Sequence, residues 1–168
     1  MTFDEIVEAL LPLWGAKLGT ENSREAWTER WVPAALVDFN EQIQARDVVR
    51  FLREAAAAST GDERWPDRVL TPAAMRHSLG ACSRAKVEEI NQENPRLGKL
   101  LRHMATFSDS VKMPFDPADL NLAPDDVEAL EQWGAMARDA DGRYRMPEIY
   151  RHALGFRTQG RARVVRGV

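Results

Sequence analysis

This 168-residue chain has a single cysteine, Cys82, and no apolar run that approaches the ~18 residues of a membrane span. One thiol excludes an intrachain disulfide and a metal site built from several cysteines, which favours a reducing compartment. The first residues are acidic and amphipathic, so they lack the basic segment and the uninterrupted apolar segment of a signal peptide. The sequence therefore predicts a cytoplasmic protein without membrane contact.

Neither sign of charge dominates, since 23 Lys and Arg against 26 Asp and Glu leave a net charge of −3. Such a balance gives no global attraction to nucleic acid. The exception is the segment 157–168, which has no acid and four arginines: Arg157, Arg161, Arg163 and Arg166. We expect this segment to be a flexible basic tail and a candidate contact for nucleic acid or for a partner.

A phosphate-binding loop is also missing. Residues 15–20, GAKLGT, contain the right residue types in the wrong order for G-x-x-x-x-G-K-[ST], so they are predicted to form a turn between helices. No acidic Mg²⁺-binding pair follows an apolar strand. The chain by itself is therefore predicted not to hydrolyse a nucleotide, not to be an enzyme, and to carry no cofactor of its own.

Metal and nucleophile chemistry have no sequence pattern behind them either. His77, His103 and His152 are scattered without the spacing of metal ligands, which favours surface or half-buried positions and predicts no metal site. Cys82 precedes a predicted helix start at Ser83, where a helix N-terminus could lower its pKa, although a small buried thiol is the favoured interpretation. No Ser-His-Asp order is present, so no catalytic residue is predicted.

Helical periodicity is the strongest pattern that is present. Residues 43–58, IQARDVVRFLREAAAA, place apolar side chains three or four apart, which predicts a helix with a wide buried stripe. The members of this stripe are Val48, Val49, Phe51, Leu52 and Ala55.

Further helices are predicted from capping residues and prolines. Their starts are Thr2, Ser23, Thr71, Ser83, Pro95, Pro124 and Pro147. Gly80 is expected to end the helix that begins at Thr71, and Pro33 is expected either to kink or to break the helix after Ser23.

The spacing of apolar residues changes after residue 134, from the helical period to short alternating runs. Short alternating runs flank Asp141-Gly142, a dipeptide typical of a β-hairpin, and a helix followed by a hairpin is the second half of a winged helix-turn-helix. We therefore expect a mainly α protein. Its parts are a helical bundle over 1–107, a linker over 108–117, and a small winged-helix-like subdomain with one β-hairpin over 118–156.

A winged helix raises the question of DNA. The predicted hairpin is basic, with Arg138, Arg143 and Arg145, but the helix before it has four acids and no Lys or Arg. Phosphate contacts supply most non-specific affinity for DNA, so this helix would repel the backbone. Packing against a partner domain is the favoured interpretation of the hairpin, and DNA contact through hairpin and tail is the alternative.

Five stretches, taken together, carry a resemblance. They are LLPLWGAKLG (10–19), SREAWTERWVPAAL (23–36), IQARDVVRFLREAA (43–56), LTPAAMRHSLGACSRAKVEEINQENPRL (70–97) and LEQWGAMARDADGRYRMPEIYRHALGFR (130–157). They resemble the C-terminal helical and winged-helix-like region of a family of large bacterial P-loop ATPases, of the AAA+ or STAND type. The family's P-loop and Mg²⁺-binding acid have no counterpart here. The chain is thus similar only to the part after the nucleotide-binding core, as expected of an excised domain, a truncated gene or a start inside a longer frame.

The resemblance implies a helical region that closes over nucleotide bound to a core, in cis or in trans, with ATP and Mg²⁺ held by that core. In such machines a positively charged side chain from this region can approach the phosphates. Arg46 and Arg50 are one turn apart and would share a face, so they are the candidates. The alternative is a solvent-side ion pair, such as Asp47 with Arg50.

Two functions follow as expectations. The first is a non-catalytic regulatory and interaction module of a bacterial P-loop ATPase, which relays nucleotide state to a partner or protein effector. The second is a stand-alone winged-helix DNA-binding regulator that uses the basic hairpin and the arginine tail. The tryptophans are expected to be core or interface anchors: Trp14, Trp27, Trp31, Trp65 and Trp133.

Overall fold

The computed structural model describes residues 2–159, apart from the side chain of Phe3. The helices of this part are α1 (Phe3–Trp14), α2 (Thr28–Leu36), α3 (Ala45–Ser59), α4 (Pro72–Glu93), α5 (Pro95–Ala105), a 3-10 helix (Pro117–Leu120), α6 (Pro124–Gln132) and α7 (Glu148–Leu154). The strands are β1 (Lys112–Met113), β2 (Ala137–Arg138), β3 (Tyr144–Arg145) and β4 (Arg157–Thr158). The prediction of a mainly α protein is confirmed.

Helix α4 is the centre of the fold, because α3, α5 and α7 all pack against it. Thr71 caps its N-terminus and Pro72 occupies the first turn, as the sequence predicts. The expected stop at Gly80 and restart at Ser83 are wrong, since one helix of 22 residues runs through both. Ser83 is instead buried, and its hydroxyl accepts a hydrogen bond from the backbone N–H of Ala153 in α7 at 2.7 Å.

Helix α3 lies where the sequence places it, but its buried face is narrower than expected. Asp47, Phe51 and Ala55, spaced four apart, face the core, and Val48 and Leu52 pack beside them. Val49 is 65% exposed, so its assignment to the stripe is wrong. The physical reason is geometric: a residue two positions from Asp47 and from Phe51 points to the opposite side of a helix.

The start of α2 needs correction, and one of the two expectations at Pro33 is wrong. The helix continues through Pro33, so it is not broken there, while a kink stays a prediction. Its N-cap is Trp27, not Ser23, whose hydroxyl accepts from the N–H of Glu25 in the preceding loop. The tryptophans divide: Trp14 and Trp31 pack against the core, whereas Trp27 and Trp133 are 49% and 42% exposed.

The C-terminal part holds the predicted hairpin. Strands β2 and β3 pair antiparallel around Asp141-Gly142, with Ala137 opposite Arg145, and β1 pairs parallel with β4. The winged-helix form of this part stays a prediction. Met113 and Phe115, within the predicted linker, belong to the same hydrophobic cluster as α4 and α7, so the predicted subdomains share one core.

The first two residues of the segment predicted to be a flexible tail are part of a strand. Arg157 and Thr158 form β4 beside Lys112 and Met113. The other tail arginines, Arg161, Arg163 and Arg166, lie outside the described residues.

Candidate functional site

The most concentrated group of charged side chains lies between α3 and α4. Arg46, Asp47 and Arg50 come from α3, and they meet carboxylates and an ammonium of α4: Lys86, Glu89 and Glu93. Spacings of three and four residues place each set on one side of its helix. Three cations face three anions, so the network has no net charge.

The inner end of the network is a buried ion pair. Lys86 Nζ lies 2.9 Å from Asp47 Oδ2, and the two side chains are 6% and 1% exposed. Arg50 adds a second cation at 3.4 Å from the other oxygen of Asp47. Because burying a charge costs several kcal/mol unless it is paired, each member depends on the other.

The outer end is progressively more exposed. Glu89 contacts Arg50 at 2.6 Å and Arg46 at 3.1 Å, the second as an ion pair without hydrogen-bond alignment. Arg46 also contacts Glu93 at 3.2 Å and is 41% exposed, against 22% for Arg50. The hydrogen bond that Arg50 donates to Glu89 raises the pKa of Arg50, with burial opposing it. The two sequence candidates thus share a face as predicted, and both are engaged by acids of α4.

Cys82 lies beside this network, in the middle of α4 and fully buried. Burial raises the pKa of its thiol to about 11, so it is protonated at neutral pH. The prediction of a small buried thiol is confirmed, and the alternative of a thiol activated by a helix N-terminus is wrong because no helix starts at Ser83.

The hairpin arginines are each held within the hairpin. Arg143 pairs with Asp141 and Arg145 with Asp139, both at 2.6 Å. The Nε of Arg138 donates to the carbonyl of Gly142 at 3.1 Å. The positive charge predicted for a nucleic-acid or partner contact is therefore largely balanced inside the hairpin itself.

Arg68 is an anchor that sequence reasoning missed. Its side chain is 4% exposed and donates to the carbonyl of Lys17 at 2.5 Å and to that of Gly19 at 3.3 Å. Gly15 has a φ of 69°, and a Cβ there would overlap the Arg68 guanidinium. Residues 15–20 therefore form the predicted turn between helices, wrapped around this arginine. Arg68 also pairs with its neighbour Asp67 at 2.6 Å. No sequence signal marks its anchoring role, since the backbone carbonyls that it binds belong to residues 51 and 49 positions away.

A second charged cluster lies on α7. The carboxylate of Glu148 contacts Arg151 at 2.5 Å and His152 at 3.1 Å. Burial raises the pKa of Glu148, but hydrogen bonds from His152 and Arg151, with their charges, outweigh it and lower this pKa to about 2. The arrangement fastens α7, because Arg151 also donates to the carbonyl of Phe156 at 2.9 Å.

We expect Glu148→Gln to lower the free energy of unfolding by about 1 kcal/mol at neutral pH, a figure kept small because the side chain is 34% exposed and water screens the pairs. The folded pKa of about 2 lies below the ordinary value of 4.5. The stabilisation is thus complete above the ordinary value and is lost as the pH falls towards the folded value. Urea unfolding of both proteins across that range measures this. A difference that does not shrink in acid contradicts the assignment.

The histidines occupy exposed positions, as predicted. His77 is exposed, His152 pairs with Glu148, and a ring nitrogen of His103 lies 2.9 Å from the carbonyl of Leu120. Within residues 2–159 no three His, Cys, Asp or Glu side chains converge as metal ligands would. Across the same residues, no helix has the length and apolar character needed to cross a membrane.

Comparisons of this chain with protein-family models, with curated proteins and with solved structures gave no match. The resemblance to the C-terminal region of P-loop ATPases therefore stays a prediction. The class of protein that the fold defines is a mainly α protein with one shared core.

Proposed function

We propose that this chain is a non-catalytic regulatory and interaction module of a bacterial P-loop ATPase, which relays nucleotide state to a partner. The observation that supports this proposal most is the network between α3 and α4. It positions Arg46 and Arg50 one turn apart on one face, with Arg46 41% exposed. ATP and Mg²⁺ would be held by the ATPase core, in cis or in trans, and the segment 118–156 would form its winged-helix-like end.

The proposed relay is an exchange of anions. A nucleotide phosphate brought to the surface by the core would compete with Glu93 and Glu89 for Arg46, because a guanidinium binds phosphate as readily as carboxylate. Glu93 would then face solvent on α4 without a cation, whereas Glu89 would keep its contact with Arg50. Because α7 packs on α4, a change in these ion pairs on α4 would alter the packing of α7, which follows the hairpin in the chain.

The alternative function, a DNA-binding regulator, has less support. The hairpin arginines are already paired with Asp139 and Asp141. Helix α6 presents Asp125, Asp126, Glu128 and Glu131 and no basic side chain next to the hairpin. Both features weaken attraction to phosphate, on which non-specific DNA affinity depends.

The proposal is tested in the ATPase that carries or binds this chain, sought first in the coding DNA upstream of Met1 and in neighbouring genes. We expect Arg46→Gln and Arg50→Gln each to change nucleotide affinity or turnover by about tenfold, the effect of losing one charge-assisted hydrogen bond. Arg53→Gln is the matched control, because Arg53 is on the same helix but, among residues 2–159, its ion pair is with its neighbour Glu54.

Unchanged nucleotide affinity and turnover in both Arg46→Gln and Arg50→Gln would remove the relay. Duplex DNA binding by the chain, with an affinity that falls steeply between two salt concentrations, would favour the alternative function instead.

A further inference from the structure

Helix α1 combines an apolar sequence with a position outside the core. Of its 12 residues, FDEIVEALLPLW, eight are apolar, yet none of the side chains described in this helix is buried. Ile6 is 38% and Leu11 36% exposed. Val7, Leu10, Leu13 and Trp14 are half-buried. The apolar surface that Ile6 and Leu11 leave in water does not contribute to the main stabilising term of folding, so it is available for contact with a partner.

The contacts described between α1 and the rest of the fold are at the C-terminal end of this helix. Leu13 and Trp14 pack against the core, and the backbone N–H of Leu70 donates to the carbonyl of Leu13 at 2.7 Å. The Arg68 guanidinium adds a hydrogen bond to the carbonyl of Trp14. A helix of 12 residues is only marginally stable in isolation. Contacts at the C-terminal end stabilise the first two turns of α1 only indirectly, so packing against a partner would stabilise them further.

The two sides of α1 differ in chemistry. Ile6, Val7, Leu10 and Leu11 fall at helical spacing on one side, which continues into Leu13 and Trp14. The other side carries the acids: Asp4, Glu5 and Glu8. The helix has no basic residue, so its charge is −3. Spacings of seven and three residues place Asp4 and Glu8 next to Leu11, at one edge of the apolar side.

We propose that the apolar side of α1 is the docking site for an amphipathic helix of a partner protein, one whose apolar stripe is bordered by Lys and Arg. Apolar side chains of the two helices would pack together, and basic side chains would pair with Asp4 and Glu8, as flanking charges select partners in coiled coils. A second copy of this chain fits less well, because two α1 helices would bring −3 against −3. This proposal does not depend on the ATPase function.

The test uses the full chain and a labelled 14-residue peptide of Leu and Lys at helical spacing, with binding followed by fluorescence anisotropy. The control peptide has Glu in place of each Lys. We expect the Lys peptide to bind and the Glu peptide to bind at least about tenfold more weakly. The double variant Asp4→Asn/Glu8→Gln should remove most of that difference and reduce the salt dependence of binding.

Variants of exposed apolar residues locate the site. Ile6→Ser and Leu11→Ser should each weaken binding of the Lys peptide several-fold, because each removes apolar area from the contact. Val49→Ser is the control, since Val49 is an apolar side chain on α3 that is more exposed, at 65%, than Ile6 or Leu11. Circular dichroism shows whether the variants keep the fold.

Four outcomes would overturn the proposal. The first is no measurable binding of the Lys peptide, and the second is binding that Ile6→Ser and Leu11→Ser leave unchanged. The third is a dimer of the chain alone, detected by light scattering and dissolved by the same two substitutions, which would assign the face to a second copy. Tighter peptide binding by a chain that ends at Gln159 would assign it to residues 160–168.

Discussion

Asp47→Ala is expected to lower the free energy of unfolding by about 3–5 kcal/mol, the range for a buried ion pair that loses one partner. The substitution leaves the Lys86 ammonium with 6% of its side chain exposed and without the carboxylate that lies 2.9 Å away. Urea unfolding followed by circular dichroism measures the loss through the transition midpoint, provided that the slope with urea is unchanged.

Lys86→Met is the complementary variant, and it should lower the free energy of unfolding by less than Asp47→Ala does. Asp47 keeps Arg50 at 3.4 Å when Lys86 is removed, so its carboxylate is not left alone. The double variant Asp47→Leu/Lys86→Met should be more stable than Asp47→Ala, because neither charge remains buried. A loss below about 1 kcal/mol for Asp47→Ala would show that the pair is hydrated rather than buried.

Gly98→Ala is expected to destabilise the protein by about 1–3 kcal/mol, although alanine is the better helix former by about 1 kcal/mol. Asn94 alone separates α4 from α5, so the two helices meet closely at Gly98. A Cβ there would lie 2.6 Å from the Cα of Asn91, a backbone atom that moves only if a helix moves. The steric cost therefore exceeds the gain in propensity.

Gly80→Ala is the matched control for this second prediction. Gly80 is also inside a helix, but an added Cβ would meet only the end of the Arg84 side chain, at 3.6 Å. We expect Gly80→Ala to raise the free energy of unfolding by about 0.5–1 kcal/mol, the difference in helix propensity. Both variants are measured by urea unfolding, and equal effects of the same sign would show that α4 and α5 are not in close contact at Gly98.

Part of the candidate network was visible in the sequence and part was not. The spacing of Arg46 and Arg50 fixes that they share a helix face, because helical periodicity depends only on positions along the chain. Glu89 is 39 residues from Arg50 and Glu93 is 47 residues from Arg46, on a helix for which the sequence predicts an end at Gly80. Which of 26 acids would meet these arginines depends on how α3 crosses α4, and no local pattern encodes that crossing.

The partners of Arg68 and Ser83 could not be predicted from the sequence either. Each uses a backbone group of a distant segment, Lys17 for Arg68 and Ala153 for Ser83. Every residue offers the same backbone N–H and carbonyl, so the identity of the partner leaves no trace in composition or spacing. The sequence around Ser83 predicts a helix cap, because capping is a local role that serine also fills.

By itself the sequence determined the helical class and most element starts. The capping box of Thr2 and Glu5, the Thr71-Pro72 start and the Asp141-Gly142 turn depend on hydrogen bonds and dihedral angles within a few residues. Only the tertiary structure decided the rest. Continuity of α4 through Gly80, burial of Asp47 with Lys86, and the exposed apolar side of α1 all depend on which surfaces meet. Packing between distant segments outweighs local preferences of about 1 kcal/mol, so these features follow from the whole fold.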